Sequence, residues 1–133
     1  MRWLFILLLS GCFFQNASAQ ERLKDAVTEL NDHARWGRSY AALQIVHPKY
    51  RGRFSERRET WGKDVQIADV DIQQVKMDDD KQEATSSILV SWYSFKDMQL
   101  QNTIIEQNWE RADSGYQLVK ERVVEGNKHL LEH

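Results

Sequence analysis

Apolar side chains in the first half of the chain recur every three or four residues, with charged side chains between them. This spacing is typical of amphipathic helices, which turn one apolar face towards a core. It predicts three helices, at about 21–34, 39–46 and 49–61. Gly37 and Pro48 separate them, because both residue types interrupt helical structure.

After Lys63 the apolar period changes to two, the period of a β-strand whose faces have different surroundings. The first alternating run changes phase near Ala68 and again near Gln73, and each change predicts a β-bulge that bends the strand. The second run is apolar on both faces, which predicts a central position in the sheet. Strands are expected at 65–77, 84–95, 100–111 and 116–124.

Helices followed by antiparallel strands predict an α+β fold, in which amino-terminal helices pack on a bent, cone-like antiparallel sheet of four strands. The chain has 133 residues, and 41% of them are hydrophobic. These values suit a single domain with its own core and exclude a fully disordered chain. The domain is expected at 21–124. Residues 125–133 show no clear strand pattern, and we interpret them as a tail outside it.

The amino terminus has the features of an export signal. Arg2 supplies a positive charge, and the apolar run that follows covers only 12 residues, 3–14. A membrane-spanning helix needs about 20 residues. The run therefore predicts a secretory signal segment and a mature chain that works outside the cytoplasm.

Leu9-Ser10-Gly11-Cys12 stands within the apolar run and resembles the lipobox of bacterial lipoproteins. The resemblance implies a signal peptide at 1–11, cleavage before Cys12, acylation of Cys12, and a tether at 12–20. Phe13 stands where lipoproteins retained in the inner membrane carry Asp. The resemblance therefore implies a lipid anchor in the outer membrane, with the domain facing the periplasm.

Ala17-Ser18-Ala19 offers an alternative, because small residues in this spacing are typical of ordinary signal-peptide cleavage. Cleavage after Ala19 would remove Cys12 and leave a soluble periplasmic or secreted protein. Both alternatives predict export, and the choice between them stays open at this point.

Two segments resemble nuclear transport factor 2-like domains, a superfamily that includes ketosteroid-isomerase-like enzymes. Residues 37–43, followed by His47-Pro48, are similar to the helix-turn-helix of these domains, and 109–119 is similar to their closing hairpin. The resemblance implies a bent sheet wrapped around helices. Members include isomerases, dehydratases, ligand binders and assembly modules, so the fold does not decide the function. Two functions stay open: a non-catalytic ligand- or partner-binding envelope protein, and a small exported isomerase or dehydratase.

Asp32 and His33 are the weak candidates for catalysis, because enzymes of this superfamily often place an Asp or His inside the cone. His33 lies only obliquely beside the apolar stripe of its helix, so a surface position is the simpler interpretation. The Asp78-Asp79-Asp80 run lacks the spacing and the distal Glu of a calcium loop. One Cys and four scattered His give no metal-ligand spacing, and no metal or cofactor is expected.

Charge is unevenly distributed, although the formal net charge is only −2. Residues 35–63 contain eight Lys and Arg against two Glu, whereas 64–113 contain eleven Asp and Glu against four Lys and Arg. The two segments could attract each other within the fold. Alternatively, the first segment presents a basic face to anionic lipid, an anionic cell-wall polymer or an acidic envelope protein. Its candidate residues are Arg51, Arg53, Arg57 and Arg58.

A small apolar ligand inside the cone is the other partner class that the resemblance implies. Nucleic acid is not expected as a partner of an exported domain with this charge balance.

Overall fold

Three helices precede four strands in the computed structural model, which describes residues 14–113 and 115–132. The elements are α1 (Phe14–Arg35), α2 (Ser39–Leu43), α3 (Arg51–Arg57), β1 (Val65–Met77), β2 (Glu83–Ser94), β3 (Leu100–Ala112) and β4 (Gly115–Gly126), followed by a short 3-10 helix (Lys128–Leu130).

The four strands form one antiparallel sheet in the order β1-β2-β3-β4, so the predicted α+β class is confirmed. The two bulges predicted in β1 are confirmed as well. Ala68 and Gln73 are skipped in the pairing with β2, because Ile67 and Asp69 face consecutive residues of that strand, as do Ile72 and Gln74. The predicted central position of β2 is also correct.

The helices differ in length from the predicted ones. α1 begins at Phe14, so 14–20 is helical and is not the extended tether that we expected. α2 ends at Leu43, three residues early, because Val46 leaves the helix to form a parallel bridge with Leu118 of β4. α3 ends at Arg57 and is followed by a turn that leads to Trp61.

The core lies between the helices and one face of the sheet. Leu23, Val27 and Leu30 of α1 are buried there together with Trp109 and Leu118 of the sheet. The opposite face of β2 and β3 carries half-buried and exposed apolar side chains, namely Leu89, Tyr93, Leu100 and Ile104. The helices therefore cover one face of the sheet, as predicted.

The carboxyl-terminal tail belongs to the domain, which corrects the boundary predicted at residue 124. Leu130 and Leu131 are 0% and 2% exposed, and the indole of Trp61 donates a hydrogen bond to the carbonyl of Leu130 (3.0 Å). Gly126 ends β4 with a φ of 87°, and a Cβ there would collide with the carbonyl oxygen of Asn102. Strand alternation gives no sign of this burial, because the buried leucines lie beyond the end of β4.

We expect Leu130→Ala to lower the free energy of unfolding by about 2–5 kcal/mol, the range for truncating a buried leucine. Leu100→Ala is the matched control, because Leu100 is 64% exposed and its truncation should change stability by less than about 0.5 kcal/mol. Urea unfolding followed by circular dichroism measures both values. Equal effects of the two substitutions would contradict the packing of the tail.

Candidate functional site

A buried ion pair joins β4 to the turn after α3. Nη1 and Nη2 of Arg58 donate to Oε1 and Oε2 of Glu121 at 2.7 and 2.6 Å, a two-pronged arrangement. The Arg58 side chain is 8% exposed and that of Glu121 is fully buried. The guanidinium carbon of Arg58 lies 3.9 Å from the ring centre of Phe54 and 4.8 Å from that of Trp61. Both charges are thus removed from water and held in fixed positions.

Amide and hydroxyl groups extend this ion pair across the core. Nε2 of Gln107 donates to Oε2 of Glu121 and to Oδ1 of Asn31, both at 3.0 Å. Oε1 of Gln107 accepts from Nδ2 of Asn31 and from the hydroxyl of Ser86, again at 3.0 Å. The indole of Trp109 donates to the Ser86 hydroxyl at 2.9 Å. The side chains of Asn31, Gln107, Ser86 and Trp109 therefore find their hydrogen-bond partners among one another and Glu121.

Two further groups close the network on the helical side. Nη1 of Arg57 donates to the backbone carbonyl of Glu121 at 2.7 Å and to the hydroxyl of Tyr50 at 3.2 Å. The Tyr50 hydroxyl donates to Oε1 of Glu121 over a longer 3.4 Å. These contacts fix α3 against β4.

Electrostatics in the network favour a charged Glu121. Burial by itself raises the pKa of the Glu121 carboxyl, but the charge of Arg58 and the hydrogen bonds from Arg58 and Gln107 outweigh it. The pKa of Glu121 therefore lies below its ordinary value of 4.5. Burial and the nearby Glu121 carboxylate raise the pKa of Tyr50, so the phenol stays protonated.

Sequence reasoning missed Glu121 because β4 contains an extra residue. Trp109 pairs with Leu118 and Asn108 pairs with Lys120, so Val119 is skipped. Without this bulge the alternation that buries Leu118 would bury Lys120 next, whereas with it Glu121 faces the core opposite Gln107. The apolar phase does change between Leu118 and Val123, but Val119 and Val124 are apolar as well and conceal the change.

Asp32 and His33, the predicted catalytic candidates, lie at the end of α1 outside the core. Arg38 binds both, with Nη2 at 2.5 Å from Oδ2 of Asp32 and Nε donating to Nδ1 of His33 at 2.8 Å. The Asp32 side chain is 54% exposed and His33 is half-buried. Asp32 thus belongs to an ion pair with Arg38 at the helix end, and His33 is hydrogen-bonded to the same arginine.

The four candidates for a basic face do not form one surface. Arg58 and Arg57 turn towards Glu121, as described above. Arg51 is half-buried and donates from Nε to the carbonyl of Val46, and Arg53 pairs with Glu56 on the surface. The arginines of α3 therefore make contacts within the fold as well as facing solvent.

Internal attraction between the two oppositely charged segments is limited. Among the described residues only the Arg35–Asp69 pair, at 3.6 Å, joins 35–63 to 64–113. Within the basic segment four cations make no ion pair with described residues, and one carboxylate makes none. The cations are Lys49, Arg51, Arg57 and Lys63, and the carboxylate is Glu59. Pairing with Asp32, Asp69 and Glu121, which lie outside the segment, lowers its positive excess from six charges to three.

Two cavities adjoin the core. One, of about 390 Å³, lies among α2, α3 and the turn after α3, and Arg58, Phe54 and Trp61 line it. The other, of about 680 Å³, opens at the end of the sheet, with a floor that includes Trp92. Asp64, Lys96, Asp97 and His129 belong to its lining.

Nothing in the described part of the chain gathers three or more potential metal ligands of the His, Cys, Asp or Glu type. Asp69 and Asp71, two acids of the bulged edge strand, are both exposed, and Asp69 approaches Arg35. Within residues 14–113 and 115–132 no helix is long and apolar enough to cross a bilayer. Cys12, the predicted lipidation site, lies outside the described residues.

We expect Glu121→Gln to lower the free energy of unfolding by about 3–5 kcal/mol, because it leaves the Arg58 charge buried without its counter-ion. Glu106→Gln is the control, since Glu106 pairs with Arg122 on the surface and should contribute less than about 1 kcal/mol. Chemical unfolding at neutral pH compares the two. A loss at Glu121 no larger than that at Glu106 would contradict the role of the buried pair.

Stability should also depend on pH through Glu121. Because the folded-state pKa lies below 4.5, this group contributes stability that is fully present above that value and is lost as the pH falls through the folded-state pKa. Unfolding measured between about pH 6 and pH 3 should therefore show a steeper decline for the wild type than for Glu121→Gln. Parallel curves for the two proteins would overturn the assignment.

Comparisons with known proteins show the fold of the chain and no more. No protein-family model and no curated protein matches it. The solution structure of a SEC-C motif containing protein from Rhodopseudomonas palustris is similar, with a TM-score of 0.60 and 8% identity over 71% of this chain and 73% of that one. The crystal structure of the intermembrane space region of the chloroplast protein ARC6 has a TM-score of 0.53 and 10% identity over 79% of this chain and 95% of that one. Neither description names a nuclear transport factor 2-like domain or a lipoprotein, so both resemblances stay predictions.

Proposed function

We propose that the protein is a lipid-anchored envelope protein of the outer membrane, whose α+β domain is a non-catalytic binding module. The observation that carries the proposal is the closed Glu121–Arg58 pair. Glu121 is the one fully buried carboxylate among the described residues, and both of its oxygens accept hydrogen bonds from protein groups. Among the described residues, the one fully buried carboxylate therefore serves to hold the fold together.

Acid–base catalysis requires a group that gains or loses a proton near the working pH and that reaches the substrate. Glu121 meets neither condition, since its pKa is lowered and its oxygens face Arg58 and Gln107. Asp32 and His33 lie outside the interior and are bound to Arg38. A rigid domain with such fixed charges suits recognition better than proton transfer.

The anchor part of the proposal rests on the sequence. Cys12 lies within the short apolar run, and its acylation would explain why an exported chain contains a single thiol. Several acyl chains hold a protein stably at a bilayer, because each buried methylene adds about 0.8 kcal/mol. α1 begins at Phe14, so the acylated residue would lie close to the first helical turn and hold the domain near the membrane.

The enzyme alternative has one observation in its favour, the cavity of about 680 Å³ that Asp64, Asp97 and His129 help to line. All three residues are exposed. Neither a hydrogen bond nor an ion pair joins any two of them, whereas a catalytic base is normally oriented by a partner. If the chain is an enzyme, the bound substrate would therefore have to orient these three side chains.

We expect Cys12→Ser to move the protein out of the membrane fraction, because the variant has no thiol to acylate. The wild type should stay with membranes in high salt, since salt screens charge contacts but does not weaken apolar insertion. Fractionation followed by intact-mass measurement tests this, with an acylated amino terminus at Cys12 as the expected result.

Ala17→Arg provides the control, because it destroys the small-residue pattern that cleavage after Ala19 requires. It should leave the acylated product unchanged. An unmodified amino terminus at Gln20 in the wild type, lost in Ala17→Arg, would refute the anchor and leave a soluble exported protein.

A further inference from the structure

We propose that the outer face of the sheet, the side turned away from the helices, binds an amphipathic helix of a partner protein whose apolar side is flanked by Lys and Arg. The proposal rests on the binding role proposed above and names the class of partner. It follows from the apolar side chains that this face carries and from the charges beside them.

β2 is apolar on both of its faces, as strands buried on two sides are. Ile88 and Val90 are buried on the helical side, whereas Leu89 between them points to the outer face and is half-buried. A strand of this kind normally has a layer of structure on either side. The described helices all contribute to the buried clusters on the helical side. The second layer is therefore expected from another molecule.

Five apolar side chains form a stripe along β2 and β3 on the outer face. Leu89 pairs with Ile104, and Tyr93 pairs with Leu100. The Phe95 ring lies edge-on to that of Tyr93, with the ring centres 5.9 Å apart, and extends the stripe beyond the end of β2. Leu100 is 64% exposed and Phe95 is 47% exposed. Neighbouring apolar side chains that reach solvent, and Tyr among them, are typical of protein-binding surfaces.

The stripe has the length of a short helix. Leu89 to Phe95 covers about 20 Å of chain, because strand residues are about 3.4 Å apart. A helix rises about 5.4 Å per turn, so nearly four turns fit along the stripe. Between the two apolar pairs, the Ser91 hydroxyl donates to Oδ1 of Asn102 at 2.9 Å. These two polar groups thus have each other as partners when an apolar surface covers them.

Carboxylates flank the stripe on both sides. Asp71 of β1 pairs with Leu89, and Glu125 of β4 pairs with Ile104. Neighbouring strands are about 4.8 Å apart, which places the backbones of the two acids about 14 Å from each other. A helix with its side chains is about 10–12 Å wide and fits between them. Both acids are exposed, and neither makes an ion pair with a described residue.

The remaining charges of the outer face leave it acidic. Asp69, in the row between the apolar pairs, lies 3.6 Å from Arg35. The cations of the face lie farther along the sheet, and one of them, Arg122, pairs with Glu106. The turn after Phe95 adds one charge of each sign. By strand alternation the described part of the face holds six carboxylates and three cations, namely Asp69, Asp71, Glu83, Glu106, Glu110, Glu125, Lys76, Lys120 and Arg122.

This charge pattern favours a basic partner over the other occupants of an apolar surface. Lys or Arg on both flanks of a bound helix would face Asp71 and Glu125. Two copies of this chain packed through their outer faces would bring acidic surfaces together, and an anionic bilayer would be repelled in the same way. The apolar stripe and its acidic flanks therefore match one class of partner, a basic amphipathic helix.

Three synthetic peptides test the match. The first is a leucine-alanine helix with lysines on both flanks of its apolar side, the second has glutamates in place of the lysines, and the third has the composition of the first in an order without an apolar side. The protein is the full 133-residue chain with Cys12→Ser, which carries no acyl groups that could bind the peptides. We expect the lysine helix to bind with a dissociation constant of about 100 μM or tighter, and the other two at least about tenfold more weakly.

An apolar variant assigns the binding to the stripe. Leu100→Ala should weaken the lysine helix about five- to tenfold, because it removes exposed apolar surface that the helix would cover. Tyr40→Ala is the matched control, since Tyr40 is 81% exposed but lies on α2, on the other side of the sheet. It should leave the affinity unchanged. Both variants replace exposed side chains, and thermal unfolding shows that each is folded.

A charge variant assigns the preference for a basic partner to the flanks. Asp71→Asn combined with Glu125→Gln should weaken the lysine helix about three- to tenfold, the effect of two exposed ion pairs. Glu21→Gln combined with Asp79→Asn makes the same charge change at exposed positions in α1 and in the turn after β1. This control should bind as tightly as the parent chain.

Equal affinities for the three peptides, or equal losses in Leu100→Ala and Tyr40→Ala, would overturn the proposal. A dimer of the peptide-free chain that Leu100→Ala dissociates would assign the outer face to a second copy instead. Binding to phosphatidylglycerol vesicles that Leu100→Ala abolishes would assign it to a membrane. None of these results alters the membrane fractionation of the wild type. Loss of the anchor assignment likewise leaves the titrations unchanged, because the titrated chain has no thiol at residue 12.

Discussion

The arrangement of this domain depends on one buried ion pair, Arg58–Glu121. Its charges would destabilise the interior if either were alone, and the two-pronged geometry together with Gln107 is what makes their burial tolerable. The same network of hydrogen bonds connects α1, the turn after α3, and the strands β2, β3 and β4. Because Phe54 and Trp61 enclose the guanidinium, the position of the pair also fixes a wall of the adjoining cavity. Fold and candidate site therefore share one set of contacts.

The fold could be predicted because the periodicity of the first half and of β1 to β3 is clear. In β1 the two bulges occur where the apolar phase breaks, so they are visible in the sequence. β4 is less readable, because Val119, Val123 and Val124 place apolar residues in both phases. Its skipped residues, Val119 and Val124, leave no gap in the apolar pattern. The inward position of Glu121 was hidden for that reason.

The site could not be predicted, because its parts are far apart in the chain and chemically ordinary. Arg58 and Glu121 are 63 positions apart in the sequence. Taken alone, each is a charged residue of the kind that normally lies on the solvated surface. Only the fold brings them together. The tail presented the same difficulty: its contact between Trp61 and Leu130 spans 69 positions and follows no strand or helix period. Local patterns report which face of an element is buried, but not which distant partner makes burial of a charge acceptable.

Both edges of the sheet carry irregularities that its inner strands lack. β1 has extra residues at Ala68 and Gln73, and β4 has them at Val119 and Val124. β2 and β3 pair without interruption. An interrupted edge cannot offer an even row of hydrogen-bonding groups to a foreign strand, which is a common protection against uncontrolled aggregation. This sheet is therefore poorly suited to grow by strand addition, and a partner would meet its cavities or its uncovered face instead of its edges.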